Sequence, residues 1–121
     1  MLKIRAEQLE AYSQAEVECF REWMAAHLKR FFPRQCDALG DDRLNDTIHF
    51  GIRRAATYGI KAKRDVCKYI DLVIVLGRDF EKGEKLPWAS EILNSKNEAD
   101  AKIEILHEVA RIHAPSLRSN V

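Results

Sequence analysis

Hydrophobic and polar residues alternate along this chain with the period of an α-helix, and the pattern is strongest between Thr57 and Gly77. The apolar residues that recur there at spacings of three and four positions are Val66, Tyr69, Ile70, Val73 and Leu76. Such spacing places them on one face of a helix. The run Leu72–Leu76 adds apolar side chains on the other faces, and a helix that is apolar all round is enclosed by its neighbours. The pattern therefore predicts a central buried helix from Ala62 to Leu76.

A buried β-strand over Ile70–Leu76 is the alternative, because β-branched residues are dense in that stretch. The charged segment Lys63–Lys68, however, continues the same helical period, and the sequence contains no second strand-like run with which a strand could pair. Both observations favour the helix.

Turn-forming residues divide the rest of the chain into further helical segments. Pro33 ends the first helix, which has a candidate break near Ser13, because proline lacks the amide proton that a continuing helix needs. A turn or two over Arg34–Leu39 closes at Gly40, and one of the two aspartates that follow caps the next helix. The predicted helices span Ala6–Phe32, Asp41–Tyr58, Ala62–Leu76, Pro87–Leu93 and Glu98–His113.

These helices fit a single domain. The chain has 121 residues, of which 46% are hydrophobic and 32% charged, a balance typical of globular proteins that can form one core. We predict an all-α, single-domain bundle of about five helices around the central helix, covering residues 1–121, with a loose C-terminal tail from about residue 114. Gly51, on the inner face of its helix, is predicted to admit a close neighbour.

Charge and cysteine content narrow the class of partner and the compartment. The formal net charge is +1, which predicts neither a nucleic-acid partner nor a membrane surface. The three cysteines contain no CxxC pair, so we expect reduced thiols and neither a zinc knuckle nor a redox motif. The N-terminal residues become charged at once and lack the apolar run of a signal peptide. We therefore expect a cytoplasmic protein.

Motifs for catalysis or cofactor binding are absent from the sequence. The four histidines form no HExxH or HxH arrangement, and neither GxSxG nor GxGxxG occurs. We therefore predict no catalytic residues, no metal site and no cofactor. The alternative is a small enzyme that uses either Cys36, the candidate reactive thiol in a connecting segment, or His107 with His113. Cys19 and Cys67 are expected to be buried, because both lie near apolar helix faces.

A basic cluster around one aromatic residue is the first candidate partner-binding surface. Phe50 is expected to lie away from the inner stripe of its helix, beside Arg53 and Arg54, and Arg64 belongs to the same basic bias in the sequence. An aromatic residue among arginines suits an acidic or phosphate-bearing partner. The alternative is that Phe50 packs on the first helix while the arginines stay solvated.

Two further features indicate contact surfaces. Phe80 lies in the polar loop Arg78–Leu86 after the central helix, and Trp88 lies just beyond its end. Loops carry binding residues more often than packed helices do; the alternative places Trp88 in the core. The last helix carries one apolar stripe of Ala99, Ile103, Leu106 and Ala110 and a second of Ile105, Val109 and Ile112. A second stripe suits contacts on two sides, either within the domain or in a homodimer.

The order of several short motifs resembles a family of small helical proteins. The matching segments are YGI at 58–60, DVCKYIDLVIVLG at 65–77, Phe80, PWA at 87–89 and IL at 92–93, within about residues 48–106. They are similar to proteins encoded in proteobacterial type VI secretion clusters, beside effector and spike genes. Where those proteins usually carry a serine or threonine helix cap, this chain has Ala62.

The resemblance implies a role and no catalytic residues. It implies a helical accessory or adaptor protein that binds a type VI effector or spike component; an immunity protein that neutralises a toxin by binding it is the alternative. A protein partner is therefore expected. The candidate residues for binding it come from the two sequence patterns described above: Phe50, Arg53, Arg54, Arg64, Phe80 and Trp88.

Overall fold

The computed structural model describes residues 13–78, 80, 87–95 and 98–113, without the side chains of residues 99, 100 and 113. Within these residues the chain forms six helices that pack on one another, which confirms the all-α, single-domain fold. Their bounds are α1 Gln14–Phe31, α2 Pro33–Leu39, α3 Asp41–Thr57, α4 Lys63–Leu76, α5 Pro87–Leu93 and α6 Ala99–His113. The predicted helical segment 6–12, most of the loop 78–86 and the tail from 114 lie outside the described residues.

The first helix begins at a capping box formed by Ser13 and Glu16. The Glu16 amide donates to Ser13 Oγ at 3.2 Å, and the Ser13 amide donates to Glu16 Oε1 at 2.9 Å. Two of the amides that a helix start leaves unsatisfied are thereby paired. Pro33 occupies the first turn of the next helix, α2. The predicted turn or two at 34–39 is part of this seven-residue helix.

The central helix α4 packs against α1, α3 and α6, as its apolar pattern predicts. Tyr69, Ile70 and Leu72 are fully buried in it. Gly51 of α3 is also buried, and a Cβ atom at that position would lie 2.6 Å from Ile70 Cγ1. The predicted close approach at this glycine is therefore confirmed, and it occurs between α3 and α4.

The buried part of α4 is not entirely apolar. Asp71 has no exposed surface, although a charged side chain is costly to bury unless it has partners. Its carboxylate lies on the side of α4 that contacts α1, where His27 lies within hydrogen-bond distance. This carboxylate is the origin of the candidate site described below.

The last helix has a buried and an exposed face. Ile103, Leu106 and Ala110 are fully buried, as the first of its two predicted stripes requires. On the second stripe, Ile105 is 42% exposed and Ile112 is 70% exposed. No described helix combines the length and the hydrophobicity that crossing a bilayer would require.

Candidate functional site

An open groove of about 1080 Å³ lies between α1, the N-terminal part of α4 and α6. Trp23 lies on the α1 side and Ile105 on the α6 side, so each of these walls presents apolar surface. Trp23 is 55% exposed and Ile105 is 42% exposed. Large apolar side chains exposed in one concavity are typical of a binding surface rather than of scattered surface residues.

Aromatic rings continue along the α1 wall. Trp23 stacks on the imidazole of His27 with ring centroids 5.1 Å apart, and on Phe20 with centroids 6.2 Å apart. On its other side His27 meets Phe31 at 5.0 Å. The spacing of these residues along the helix brings them onto one face. The stack fixes the plane of the imidazole and shields one side of it from water.

A cluster of three metal-ligating side chains lies within the groove. His27 Nε2 is 3.1 Å from Asp71 Oδ1 and 3.7 Å from Cys67 Sγ. The three ligating atoms all lie within 4.8 Å of one another. Cys67 and Asp71 are one helical turn apart on α4, so both side chains extend from the same face toward α1.

The geometry does not match a catalytic Cys–His–Asp arrangement. In such a triad the carboxylate holds one imidazole nitrogen and the nucleophile meets the other. Here Asp71 and Cys67 both approach Nε2 of His27. Burial, reinforced by the Asp71 carboxylate, raises the pKa of the Cys67 thiol. The thiol therefore stays protonated near neutral pH and is a poor nucleophile.

A second histidine lines the same groove from α6. His107 is half-buried, and its Nε2 atom is buried without a hydrogen-bond partner among the described residues. Burial lowers the pKa of this imidazole, and the nearby Asp71 carboxylate opposes that effect. His107 thus brings an imidazole nitrogen without a described partner to the same groove, outside the three-residue cluster.

The charged residues along the groove are partly neutralised by one another. Lys68 Nζ lies 2.8 Å from Glu104 Oε2, and Arg111 Nη1 lies 3.1 Å from Glu108 Oε1. Arg64 differs from them: its side chain is 74% exposed and its contact with a neighbouring aspartate is 3.7 Å long. The guanidinium of Arg64 therefore remains accessible to an acidic group at the groove edge.

The predicted basic surface on α3 lies apart from the groove. Phe50 is partly buried against the core, and two guanidinium groups cover its ring: Arg54 Cζ at 5.1 Å and Arg78 Cζ at 5.0 Å from the centroid. Arg53 is exposed. Of the predicted partner-binding residues only Arg64 lines the groove, so the structure does not join Phe50, Arg53 and Arg54 to Arg64 in one surface.

Phe80 and Trp88, which were predicted to contact a partner near the loop 78–86, pack against the core instead. Phe80 is 4% exposed and contacts Tyr69, with ring centroids 5.6 Å apart. Trp88 is half-buried against the core, in agreement with the alternative that placed it there. Phe80 therefore presents little surface to a partner in this conformation.

Two expectations about cysteines are corrected by the structure. Cys19 was expected to be buried but is exposed, because the buried face of α1 is centred on Phe20, Met24 and Leu28. Cys36, the candidate reactive thiol, is buried, and burial raises its pKa. A buried, protonated thiol is poorly suited to nucleophilic attack.

Sequence reasoning missed the His27–Cys67–Asp71 cluster because its members come from distant segments. His27 and Asp71 are 44 positions apart, and no spacing rule connects them. One signal was nevertheless available. An aspartate next to the most apolar run of the chain, one turn after a cysteine, needs a polar partner if the helix is buried.

Comparison with known proteins assigns this chain to no family. The chain matches no protein-family model, no curated protein and no solved structure.

Proposed function

We propose that this chain is a protein-binding accessory protein, and that the groove between α1, α4 and α6 receives an amphipathic helix of its partner. The apolar face of that helix would lie on Trp23 and Ile105, and an acidic residue would reach Arg64. Helix-in-groove recognition of this kind uses apolar anchors at one face and charged groups at the rim.

The observation that carries this proposal is the exposure of Trp23. Trp23 keeps 55% of its surface in contact with water, in a groove with further exposed apolar surface. A partner that covers this surface removes apolar area from water, which is favourable. Tryptophan and arginine are also the residues most enriched among those that dominate binding energy. Trp23 and Arg64 supply both types along one groove.

The charged residues at the groove edge favour a partner whose contacting residues there are acidic. Glu104 and Glu108 are already engaged with Lys68 and Arg111, whereas the Arg64 side chain is 74% exposed. An acidic side chain placed there would gain a charge-assisted hydrogen bond. A basic side chain at the same position would be repelled by the Arg64 guanidinium.

Binding without catalysis is the function that the groove chemistry favours. Cys67 Sγ and Asp71 Oδ1 both lie beside Nε2 of His27, so the imidazole does not hold the carboxylate on one nitrogen and the thiol on the other. This arrangement does not supply an activated nucleophile. We accordingly propose no enzymatic activity for the chain.

The resemblance to proteins of type VI secretion clusters suggests the kind of partner. We propose that the chain acts as an adaptor for an effector or spike component, in the cytoplasm, where cysteines such as Cys19, Cys36 and Cys67 remain reduced. An immunity protein would use the same groove to cover a toxin, so the identity of the captured partner separates the two roles.

Site-specific photocrosslinking tests the proposal. A photoreactive amino acid at Ile105, inside the groove, should crosslink to a distinct protein in the native host. The same group at Ala56, which is exposed on α3 and does not line the groove, is the matched control and should not. Mass spectrometry then identifies the partner, and a toxicity-rescue assay distinguishes an immunity protein from an adaptor.

Three outcomes would contradict the proposed mode of binding. Equal crosslinking from both positions would indicate non-specific contact. Crosslinks only to a second copy of this chain would indicate a homodimer. The absence of any product, with the purified variant folded, would leave the groove without a protein partner.

A further inference from the structure

We propose that His27, Cys67 and Asp71 form a binding site for one divalent transition-metal ion, Zn²⁺ by its chemistry, with His107 as the fourth ligand. The site would lie within the groove and link α1, α4 and α6. This inference is independent of the proposed protein partner, because it rests on the cluster and not on the exposed apolar surface.

The two distances from His27 suit tetrahedral coordination, and the third pair of ligand atoms, Cys67 with Asp71, lies within 4.8 Å. With zinc bonds of ordinary length, neighbouring ligand atoms in a tetrahedron lie roughly 3.4 Å apart for nitrogen with oxygen and roughly 3.6 Å apart for nitrogen with sulfur. The corresponding distances here are 3.1 Å between His27 Nε2 and Asp71 Oδ1, and 3.7 Å between His27 Nε2 and Cys67 Sγ. Small side-chain rotations would therefore accommodate an ion.

The fourth position has its own independent observation. His107 lines the same groove, and its buried Nε2 atom has no hydrogen-bond partner among the described residues. His107 is not one of the three side chains whose ligating atoms lie within 4.8 Å of one another, so it must move toward them to coordinate the ion. An unsatisfied buried nitrogen carries a desolvation cost that requires an explanation. Coordination to a metal shared with Asp71 and Cys67 would remove that cost.

The ligand types select the class of ion. One thiolate, two imidazoles and one carboxylate are borderline-soft ligands that suit Zn²⁺, whereas Mg²⁺ and Ca²⁺ prefer oxygen ligands alone. Binding would replace the Cys67 S–H bond by a metal–sulfur bond and release that proton to solvent, with no change of oxidation state. The cation would also compensate the two anions, Asp71 and the Cys67 thiolate, that lie together.

The surroundings of the cluster resemble the supporting shell of a built site. Trp23 and Phe31 pack on either side of the His27 ring and hold its orientation. Asp71 is fully buried, so its carboxylate has little freedom to turn away. Preorganised ligands lose little conformational entropy on binding, which favours affinity.

Cobalt substitution provides the direct test. The full-length, untagged chain, freed of metal by chelation, is titrated with Co²⁺ and then with Zn²⁺. We expect one equivalent of Co²⁺ to produce the visible ligand-field bands of tetrahedral cobalt and a thiolate-to-cobalt charge-transfer band. One equivalent of Zn²⁺ should abolish both. Zn²⁺ binding should also release about one proton, that of the Cys67 thiol, which titration calorimetry in buffers of different ionisation enthalpy measures.

Matched variants assign the ligands. Cys67→Ser should remove the charge-transfer band and weaken Zn²⁺ binding by more than about 100-fold, and His107→Gln should weaken it by at least about tenfold. Cys19→Ser is the control, because this cysteine lines the groove outside the cluster and is exposed. It should leave the spectrum and the affinity unchanged.

Several results would overturn the inference. Folded wild-type protein that gives no tetrahedral cobalt spectrum would do so, as would equal loss of the spectrum in Cys19→Ser and Cys67→Ser. If Cys67→Ser fails to fold, the proton-release measurement on the wild-type protein decides, because Zn²⁺ binding without release of a proton contradicts a thiolate ligand. An octahedral cobalt spectrum without the sulfur band would exclude Cys67 as a ligand.

Discussion

The two sides of α4 meet their neighbours in opposite ways. Toward α3 the helices approach so closely that Gly51 leaves no room for a side chain beside Ile70. Toward α1 and α6 the same helix lines an open groove with a buried carboxylate, a thiol and exposed aromatic surface. The first side maximises apolar contact, whereas the second retains polar groups and exposed apolar surface that lower stability. Such local departures from good packing are expected at functional sites.

The largest effect is expected on the close-packed side. Gly51→Val should lower the free energy of unfolding by about 3 kcal/mol, because the new side chain must displace Ile70 or separate α3 from α4. Urea denaturation followed by circular dichroism measures the change. Ala56→Val, on the exposed face of α3, is the matched control and should cost only about 0.5 kcal/mol of helix propensity.

A double-mutant cycle sharpens this test. If the contact with Ile70 causes the loss, Ile70→Ala should make Gly51→Val less damaging, so the two changes should not add. Additive effects would show that the valine disturbs something other than this contact.

The second-largest loss of stability is expected on the groove side, when the buried carboxylate of Asp71 is removed. Asp71→Ala should cost about 2 kcal/mol, because His27 loses its partner at 3.1 Å and a buried polar group is left unsatisfied. Asp71→Asn keeps an acceptor oxygen and should recover part of that loss. Asp37→Ala, an exposed position on α2, is the control for removing a negative charge. Equal effects of Asp71→Ala and Asp37→Ala in urea denaturation would contradict a role for the buried pair.

The smallest effect is expected at the groove rim. The ion pair of Lys68 with Glu104 is 2.8 Å long but solvent-exposed at the carboxylate, so Lys68→Met should cost at most about 0.5 kcal/mol. The hydrogen bond and charge of Lys68 lower the pKa of the Glu104 carboxyl below its ordinary value of 4.5. Because the folded-state pKa is the lower one, this contribution is present above pH 4.5 and is lost as the pH falls below it.

The pH dependence of stability checks the rim pair. Wild type and Lys68→Met should differ slightly at pH 7 and converge in acid. A difference that grows on acidification would have the wrong sign for this pair.

The fold could be predicted from the sequence because its determinants are local. The helical spacing of Val66, Tyr69, Ile70 and Val73 defines the buried face of α4. Pro33 is the first residue of α2, and Gly77 directly follows the end of α4. The close approach at Gly51 could also be predicted, since a glycine on an apolar stripe leaves space for a neighbour. Such signals need no knowledge of how the helices are arranged.

The candidate site could not be predicted because it depends on that arrangement. His27 meets Asp71 only once α1 crosses α4, and the rotation of α1 about its axis decides that Trp23 and Cys19 are exposed while Phe20 is buried. Sequence reasoning instead favoured Phe50 among arginines, a local feature that the structure places on another surface.

The affinity of the crosslinked partner for two single variants tests the central claim most directly. Isothermal titration with purified proteins compares Trp23→Ala in the groove with Phe50→Ala on α3. We expect Trp23→Ala to weaken binding by about 2 kcal/mol, roughly 30-fold, as truncation of a buried aromatic anchor does. Phe50→Ala should leave the affinity within about threefold of wild type. Unchanged affinity in folded Trp23→Ala, with a large loss in Phe50→Ala, would place the partner on α3 and contradict the groove.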